Sequence, residues 1–309
     1  MNILSLFDGM SCGQIAINRL GIKYDNYFAS EIDKYAIQVT KANYPDTKHI
    51  GSVVDVKGEN LPKIDLLIGG SPCQDLTKTK KDRKNLNGES SKLFWEYVRL
   101  IKECNPKYFL LENVEMDSES EKIVTKTLDV KPVKINSGMK TAQNRPRIYW
   151  FNWNYYPIKE ELCVLDDILE SNVSDKYYLT DLQKSKLALD YKWNKSNNGI
   201  IRHLGGGRQQ DRIYRSDGKM ACLLAGSKGS SPHLTKTYIN GELRRLTPLE
   251  YERLQTLPDN YTDCISDMHR YECIGNAWTV DVIKHIFNCL IRQARGEKLL
   301  LRTNSRNLD

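Results

Sequence analysis

The 309 residues carry 46 Lys and Arg against 39 Asp and Glu, a formal net charge of +7, and 40% of them are hydrophobic. That apolar share is ample for a packed core and speaks against a disordered chain, while no stretch approaches the roughly 18 uninterrupted apolar residues of a membrane span. Eight cysteines, at 12, 73, 104, 163, 222, 264, 273 and 289, form no CxxC pair and no regular spacing. This argues against a zinc ribbon, any other metal centre or a disulfide framework, and fits a reducing, cytoplasmic setting.

Up to about residue 151, short apolar runs alternate with helical periodicity: Met1–Phe7, Gly13–Leu20, Tyr27–Ser30, Lys34–Ala42, Ile64–Ile68, Leu93–Glu103 and Tyr108–Leu111. Strands alternating with helices predict an α/β fold with a doubly wound, mostly parallel sheet and right-handed crossovers. From Asn152 to about Gly241 the composition shifts to Tyr, Asn, Ser, Gly and basic residues without regular periodicity, which predicts a smaller inserted domain. Periodicity returns at Arg245. Thr247 suits an N-cap, Pro248 the first helical position, and Glu250 completes a capping box. A last helix over about Thr279–Ala294 carries Val280, Val282, Ile283, Ile286, Phe287 and Leu290 on one stripe, predicted to pack back onto the first sheet. The expected division is residues 1–160, the insert 161–243, and a return segment 244–309 whose tail, Arg302–Asp309, frays.

The residues suited to chemistry fall at strand ends. Phe7-Asp8-Gly9-Met10-Ser11-Cys12-Gly13 follows the first strand, and the second ends about twenty residues later in Ser30-Glu31. A glycine-bearing turn lets a nucleoside approach the backbone, and an acid at the next strand tip suits ribose hydroxyls. The glycines do not spell GxGxxG, so a dehydrogenase loop is disfavoured; Gly9 and Gly13 are equally at home as ordinary turn glycines. Ile64–Ile68 delivers Gly69-Gly70-Ser71-Pro72-Cys73-Gln74, making Cys73 the first candidate nucleophile. Phe109–Val114 brings Glu112 to the same edge, where a carboxyl of raised pKa could donate to a ring nitrogen. Arg145 and Arg147 lie two residues apart, hence on one face of an extended segment. Basic residues crowd into Lys78–Lys84 and recur among glycines as Arg202, Arg208, Arg212, Arg215, Lys219 and Lys228, consistent with a polyanionic partner.

The order of Phe7-Asp8-Gly9, Ser30-Glu31, Gly70-Ser71-Pro72-Cys73-Gln74, Glu112-Asn113-Val114, Gln143-Asn144-Arg145-Pro146-Arg147 and Gly275-Asn276-Ala277 resembles the cytosine-C5 DNA methyltransferase family over nearly the whole chain. Arg244–Leu257 is similar to the stretch before that family's last motif. Phe7–Gly13, Ile68–Leu76 and Leu93–Leu100 resemble the eukaryotic de novo enzymes, and the basic insert is more like the bacterial and phage ones. The resemblance implies the fold of S-adenosylmethionine-dependent methyltransferases, with the insert as a target-recognition domain.

It further implies that Cys73 adds to C6 of a cytosine flipped out of double-stranded DNA, and that C5 takes the methyl of S-adenosylmethionine, leaving S-adenosylhomocysteine. Glu112 would act at N3, Arg147 at the base carbonyl, and Arg145 would brace Glu112 and the loop. Water is one candidate for the base that removes the C5 proton. Phe7, Gly9, Met10, Glu31, Ile32, Val53, Pro72, Asn276 and Ala277 would contact the cofactor. The family's usual acid for the adenine amine is replaced by Ser52, with Asp55 three residues on as a possible substitute. Gln74, Lys78, Lys80, Lys81 and Arg83 would belong to a DNA-closing loop, and Arg208, Gln209, Arg212 and Arg215 would face DNA from the insert. A monomer working in a restriction-modification system, beside a separate restriction endonuclease and away from membranes, completes the expectation. A transfer-RNA cytosine methyltransferase lacks support because the Cys-Phe-Thr signature is absent. A silent DNA-binding homologue is opposed by the presence of all four motif side chains, and an oxidoreductase explains nothing after Cys73.

Overall fold

The computed structural model describes residues 1–72, 89–185, 194–196, 201–204, 212–224, 235–239 and 241–297. In chain order the first part holds β1 (Asn2–Leu6), α1 (Cys12–Arg19), β2 (Asn26–Ser30), α2 (Lys34–Asn43), β3 (Lys48–His49), β4 (Leu66–Gly70), α3 (Glu89–Cys104), β5 (Tyr108–Val114), α4 (Ser118–Leu128), β6 (Val133–Asn136), β7 (Gln143–Asn144) and β8 (Pro146–Phe151). Seven of these strands form one sheet in the order β3-β2-β1-β4-β5-β8-β6. Strands β3 to β5 pair in parallel, whereas β8 runs antiparallel to both β5 and β6. The mostly parallel sheet expected from the alternating pattern is present. Its one reversed strand follows from the short connection Asn136 to Pro146, which leaves no room for the crossover helix of a parallel neighbour.

Period-two alternation divides the sheet's side chains between two cores. Ile3, Leu66, Ile68, Leu110, Tyr149 and Phe151 face one layer. Leu4, Leu6, Leu67, Phe109, Leu111, Ile148 and Trp150 face the other, against Phe94, Tyr97 and Leu100 of α3. Burial on both faces explains why these strands read as continuous apolar runs. The strand order reverses between β1 and β4, so the loops leaving those two strands open a crevice at the carboxyl edge of the sheet.

The later part contributes α5 (Asp181–Ser185), β9 (Asn194–Ser196), β10 (Ile201–Leu204), β11 (Ile213–Arg215), β12 (Met220–Ala221), β13 (Lys236–Ile239), β14 (Glu242–Arg245), α6 (Pro248–Leu254), α7 (Asp267–Asn276) and α8 (Val280–Ala294). Five strands make a second sheet, β14-β13-β11-β10-β9, while β12 pairs with β7 beside the first. The capping box at α6 forms: the Thr247 amide donates to Glu250 Oε2 at 2.8 Å, and the Glu250 amide donates to Thr247 Oγ1 at 3.2 Å. Val280, Val282, Ile283, Ile286 and Phe287 of α8 are buried, and α8 packs on α1. Each such side chain contributes about 1.5–3 kcal/mol when withdrawn from water.

Close strand packing leaves Gly69 no room for a side chain. A Cβ there would sit 2.9 Å from the Leu6 carbonyl oxygen and 3.1 Å from the buried Tyr97 ring. Gly69→Ala is therefore expected to destabilise the fold by about 1–3 kcal/mol. Urea unfolding would measure it, and a loss below about 0.5 kcal/mol would contradict the packing described.

Candidate active site

The turn after β1 is built from left-handed backbone. Phe7, Gly9 and Ser11 have φ of 56°, 58° and 58°, a conformation that costs a non-glycine residue of order 1 kcal/mol or more. Hydrogen bonds hold it: the Gly9 amide donates to Glu31 Oε2 at 2.8 Å, and Glu31 Oε1 accepts from the amides of Ile32 and Asp33 at 2.7 and 2.8 Å. Asp33 Oδ1 in turn caps α2 through the amides of Tyr35 and Ala36. Asp8 sits inside the turn and accepts from the Tyr27 hydroxyl at 2.7 Å and from the Ser11 hydroxyl. Burial pushes the Asp8 carboxyl up to about 6, against the lowering effect of its hydroxyl donors.

This turn forms one wall of a cleft lined by Phe7, Asp8, Gly9, Met10, Cys12, Glu31, Asp33 and Ala36 from the first half of the sheet. Gly70, Glu112, Glu272, Cys273, Asn276, Ala277 and Trp278 complete it. It holds about 200 Å³ and widens toward an open mouth. Of the residues expected to meet a cofactor, the fold gathers Phe7, Gly9, Met10, Glu31, Asn276 and Ala277 here. Ile32, 76% exposed, Ser52, Val53 and Pro72 are outside the lining. The Val53 carbonyl accepts from Arg99 Nη2 at 3.1 Å, and the Asp55 amide donates to the Ser52 carbonyl.

Glu112 closes the cleft's inner end and is 9% exposed. The register pairs it with Gly70, so β4 and β5 deliver the Ser71-Pro72 turn and the carboxylate to one edge. Asn113 Nδ2 pins that turn by donating to Ser71 Oγ at 3.0 Å. Cys73, the next residue but one, lies outside the described residues, as do Gln74, Lys78, Lys80, Lys81, Arg83, Arg208 and Gln209.

Both Glu112 oxygens are engaged. Arg147 Nε lies 3.1 Å from Oε1, and Trp278 Nε1 donates to Oε2 at 3.0 Å. Arg145, expected to brace Glu112, instead donates to Cys222 Sγ at 3.1 Å and to the carbonyls of Gly275 and Ala277 at 3.3 and 2.9 Å. Arg147 Nη2 also reaches Cys222 Sγ, at 3.8 Å. Alternate residues of an extended segment share a face, so both guanidiniums reach one sulfur. Burial alone would raise the Cys222 thiol; the charges and hydrogen bonds of Arg145 and Arg147 outweigh it and hold the thiol below its ordinary value. Glu112, Arg147, Cys222, Arg145 and the Ala277-Trp278 peptide thus form a closed polar ring.

Sequence reasoning missed Trp278, Cys222 and the half-buried Asp8. Trp278 directly follows the Gly275-Asn276-Ala277 motif, and that adjacency was the available signal. Of the arginines expected to face DNA, Arg212 is half-buried and Arg215 makes a two-point pair with Asp217, at 2.9 and 2.7 Å. Among the described residues no group of His, Cys, Asp and Glu is arranged to hold a metal, and no helix is long and apolar enough to cross a membrane.

Three comparisons bear on this architecture. A profile described as C-5 cytosine-specific DNA methylase matches residues 1–292. The chain is 31% identical to the type II methyltransferase M1.ScrFI of Lactococcus lactis subsp. cremoris, over 92% of this chain and 76% of that one. It is 24% identical to the type II methyltransferase M.HhaI of Haemophilus parahaemolyticus, over 93% of each. In fold it is similar to the solved Entamoeba histolytica methyltransferase EhMeth, with a TM-score of 0.73, 18% identity, and coverage of 95% and 98% of the two chains.

The half-buried carboxyl of Asp8 sets a pH dependence of stability. Its folded pKa of about 6 exceeds the ordinary 3.8, so the folded state holds the proton longer. The favourable contribution is complete below about pH 4 and lost as pH rises through 6. Relative to Asp8→Asn, the wild type should lose about 2 kcal/mol of unfolding free energy between pH 4.5 and 7.5. Urea titrations at the two pH values measure this, and a pH-independent gap would refute it.

Proposed function

This chain belongs to the C-5 cytosine-specific DNA methylase family, and we propose that Cys73, Glu112, Arg145 and Arg147 carry the family's methyl transfer on a cytosine flipped out of duplex DNA. It is an S-adenosylmethionine-dependent DNA cytosine-C5 methyltransferase, with restriction-modification methyltransferases among its relatives. The observation that carries the site reading is Glu112, clamped at both oxygens on the edge where the Pro72 turn ends.

The cleft fits the cofactor that the family implies. A side chain at Gly9 would meet nothing within 4 Å, so the backbone there can be approached closely. Glu31 Oε2 accepts one backbone amide and keeps a lone pair for a ribose hydroxyl. Asp8, Asp33 and Glu272 add carboxyl groups to the lining, suited to a ligand bearing sulfonium and ammonium charges. Phe7, Met10, Asn276 and Ala277 would complete the contacts. When bound, S-adenosylmethionine supplies the methyl group that C5 takes up.

The protein's own part is to make C5 nucleophilic. The Cys73 thiolate forms a bond to C6 while the C5–C6 electron pair moves into the ring, and Glu112 supplies the proton or hydrogen bond at N3 that accepts this charge. Arg147, ion-paired to Glu112, also addresses the base carbonyl. Arg145 acts through the frame, fixing the segments that carry Cys222 and Ala277. Loss of the C5 proton to a base lets the electrons return, the C6–S bond break and Cys73 leave as thiolate. Residues 161–243 serve as the target-recognition domain, reading duplex DNA with Arg208, Gln209, Arg212 and Arg215. Gln74, Lys78, Lys80, Lys81 and Arg83 close over the displaced strand. A monomer in the cytoplasm, alongside a separate restriction endonuclease, belongs to the same reading.

Mapping 5-methylcytosine across the genome of an expression host without cytosine methylation tests the reaction. Wild type is expected to mark one short motif and Cys73→Ser to mark none. An unmethylated genome from soluble wild-type protein would overturn the assignment. Each phosphate contact contributes about one unit to the salt slope of log K, so neutralising Lys78, Lys80 and Lys81 together should flatten that slope by about two to three. An unchanged slope would remove these lysines from the DNA interface.

A further inference from the structure

Trp278 has no role in the mechanism above, yet it touches its central carboxylate. Its peptide lies between α7 and α8 and is pinned on both sides. The Ala277 carbonyl accepts from Arg145 Nη2 at 2.9 Å and from Gln255 Nε2 at 3.1 Å, and Thr279 Oγ1 donates to Gln255 Oε1 at 2.8 Å. Gly70 makes room for the indole: a Cβ there would stand 2.8 Å from Trp278 Nε1 and 2.9 Å from Glu112 Oε2. The ring lines the cofactor cleft, and its N–H meets Glu112 Oε2 at 3.0 Å.

We propose that Trp278 is the positioning residue for Glu112: its indole N–H fixes one oxygen of the carboxyl while Arg147 fixes the other, and its ring couples occupancy of the cofactor cleft to that geometry. The inference rests on the methyltransferase reading. A glutamate has three rotatable bonds, and two donors from different segments, β8 and the α7–α8 junction, leave its carboxyl group one orientation. Any ligand that presses on the ring from the cleft also presses on the hydrogen bond.

The indole ¹⁵N–H spectrum of the full-length protein reads this contact without turnover. The five tryptophans give separable signals, and Trp278→Phe, which keeps a ring and removes the donor, identifies the relevant one. The expected result is a Trp278 resonance that is displaced in Glu112→Gln relative to the wild type and that moves on addition of S-adenosylhomocysteine. In turnover, Trp278→Phe should lower kcat about tenfold or more, leave KM for DNA within about threefold, and displace the pH profile of kcat. A resonance indifferent to Glu112→Gln overturns the positioning role, as does a Trp278→Phe enzyme with kcat within twofold of wild type and the same profile. A resonance indifferent to S-adenosylhomocysteine overturns the coupling. Wild-type protein that shows the contact but transfers no methyl to DNA would instead overturn the function, and the catalytic meaning of Trp278 with it.

Discussion

Glu112 is a nearly buried carboxylate, and the cost of withdrawing its charge from water has to be met by donors brought from elsewhere in the chain. Arg147 comes from the neighbouring strand β8, and Trp278 from the junction of the last two helices. Arg147 is in turn linked through Cys222 to Arg145, whose second nitrogen holds the backbone that carries Trp278. A buried charge left unpartnered is strongly destabilising, so the sheet edge, the strand β12 region and the return segment are mutually dependent. The fully buried Gln143 extends the same frame, joining Leu254 and Gln255 of the return segment through its side-chain amide.

The elements that were legible in the sequence are those whose causes are local. The apolar runs of β1, β4 and β5 follow from two-sided burial, and the Thr247–Glu250 cap forms from residues three apart. Strand-end motifs likewise placed Phe7, Gly9, Glu31 and Glu112 around one crevice, because open parallel sheets bind at their carboxyl edge where strand order reverses. What stayed hidden depends on long-range pairing. Nothing near Glu112 announces an indole 166 positions later, nor does Arg145 announce Cys222. The expectation that Arg145 braces Glu112 directly missed the partner because both arginines share one face, and that face looks onto a sulfur from the insert. The reversed β8 was also invisible to periodicity, which reports burial and not strand direction.

The cofactor side of the cleft is held away from its own energetic optimum. Phe7 and Ser11 occupy left-handed backbone, and Asp8 carries its charge at a cost. Such strain persists only where surroundings impose it; here Glu31, itself oriented by the amides of Ile32 and Asp33, holds the Gly9 amide of the turn. Asp8 lines the cleft from within this turn, so the strained backbone and the carboxyl of raised pKa face the same space.

The long reach of the Glu112–Trp278 contact also bears on synthesis. The carboxylate and the Pro72 turn leave the ribosome early, while the indole and the carbonyls that seat Arg145 follow more than a hundred residues later. Until the α7–α8 junction has emerged, a nascent chain holds Glu112 without its indole donor and Arg145 without the carbonyls that seat it. The fully paired state of this buried carboxylate is thereby available only once residues 1–278 are in place together.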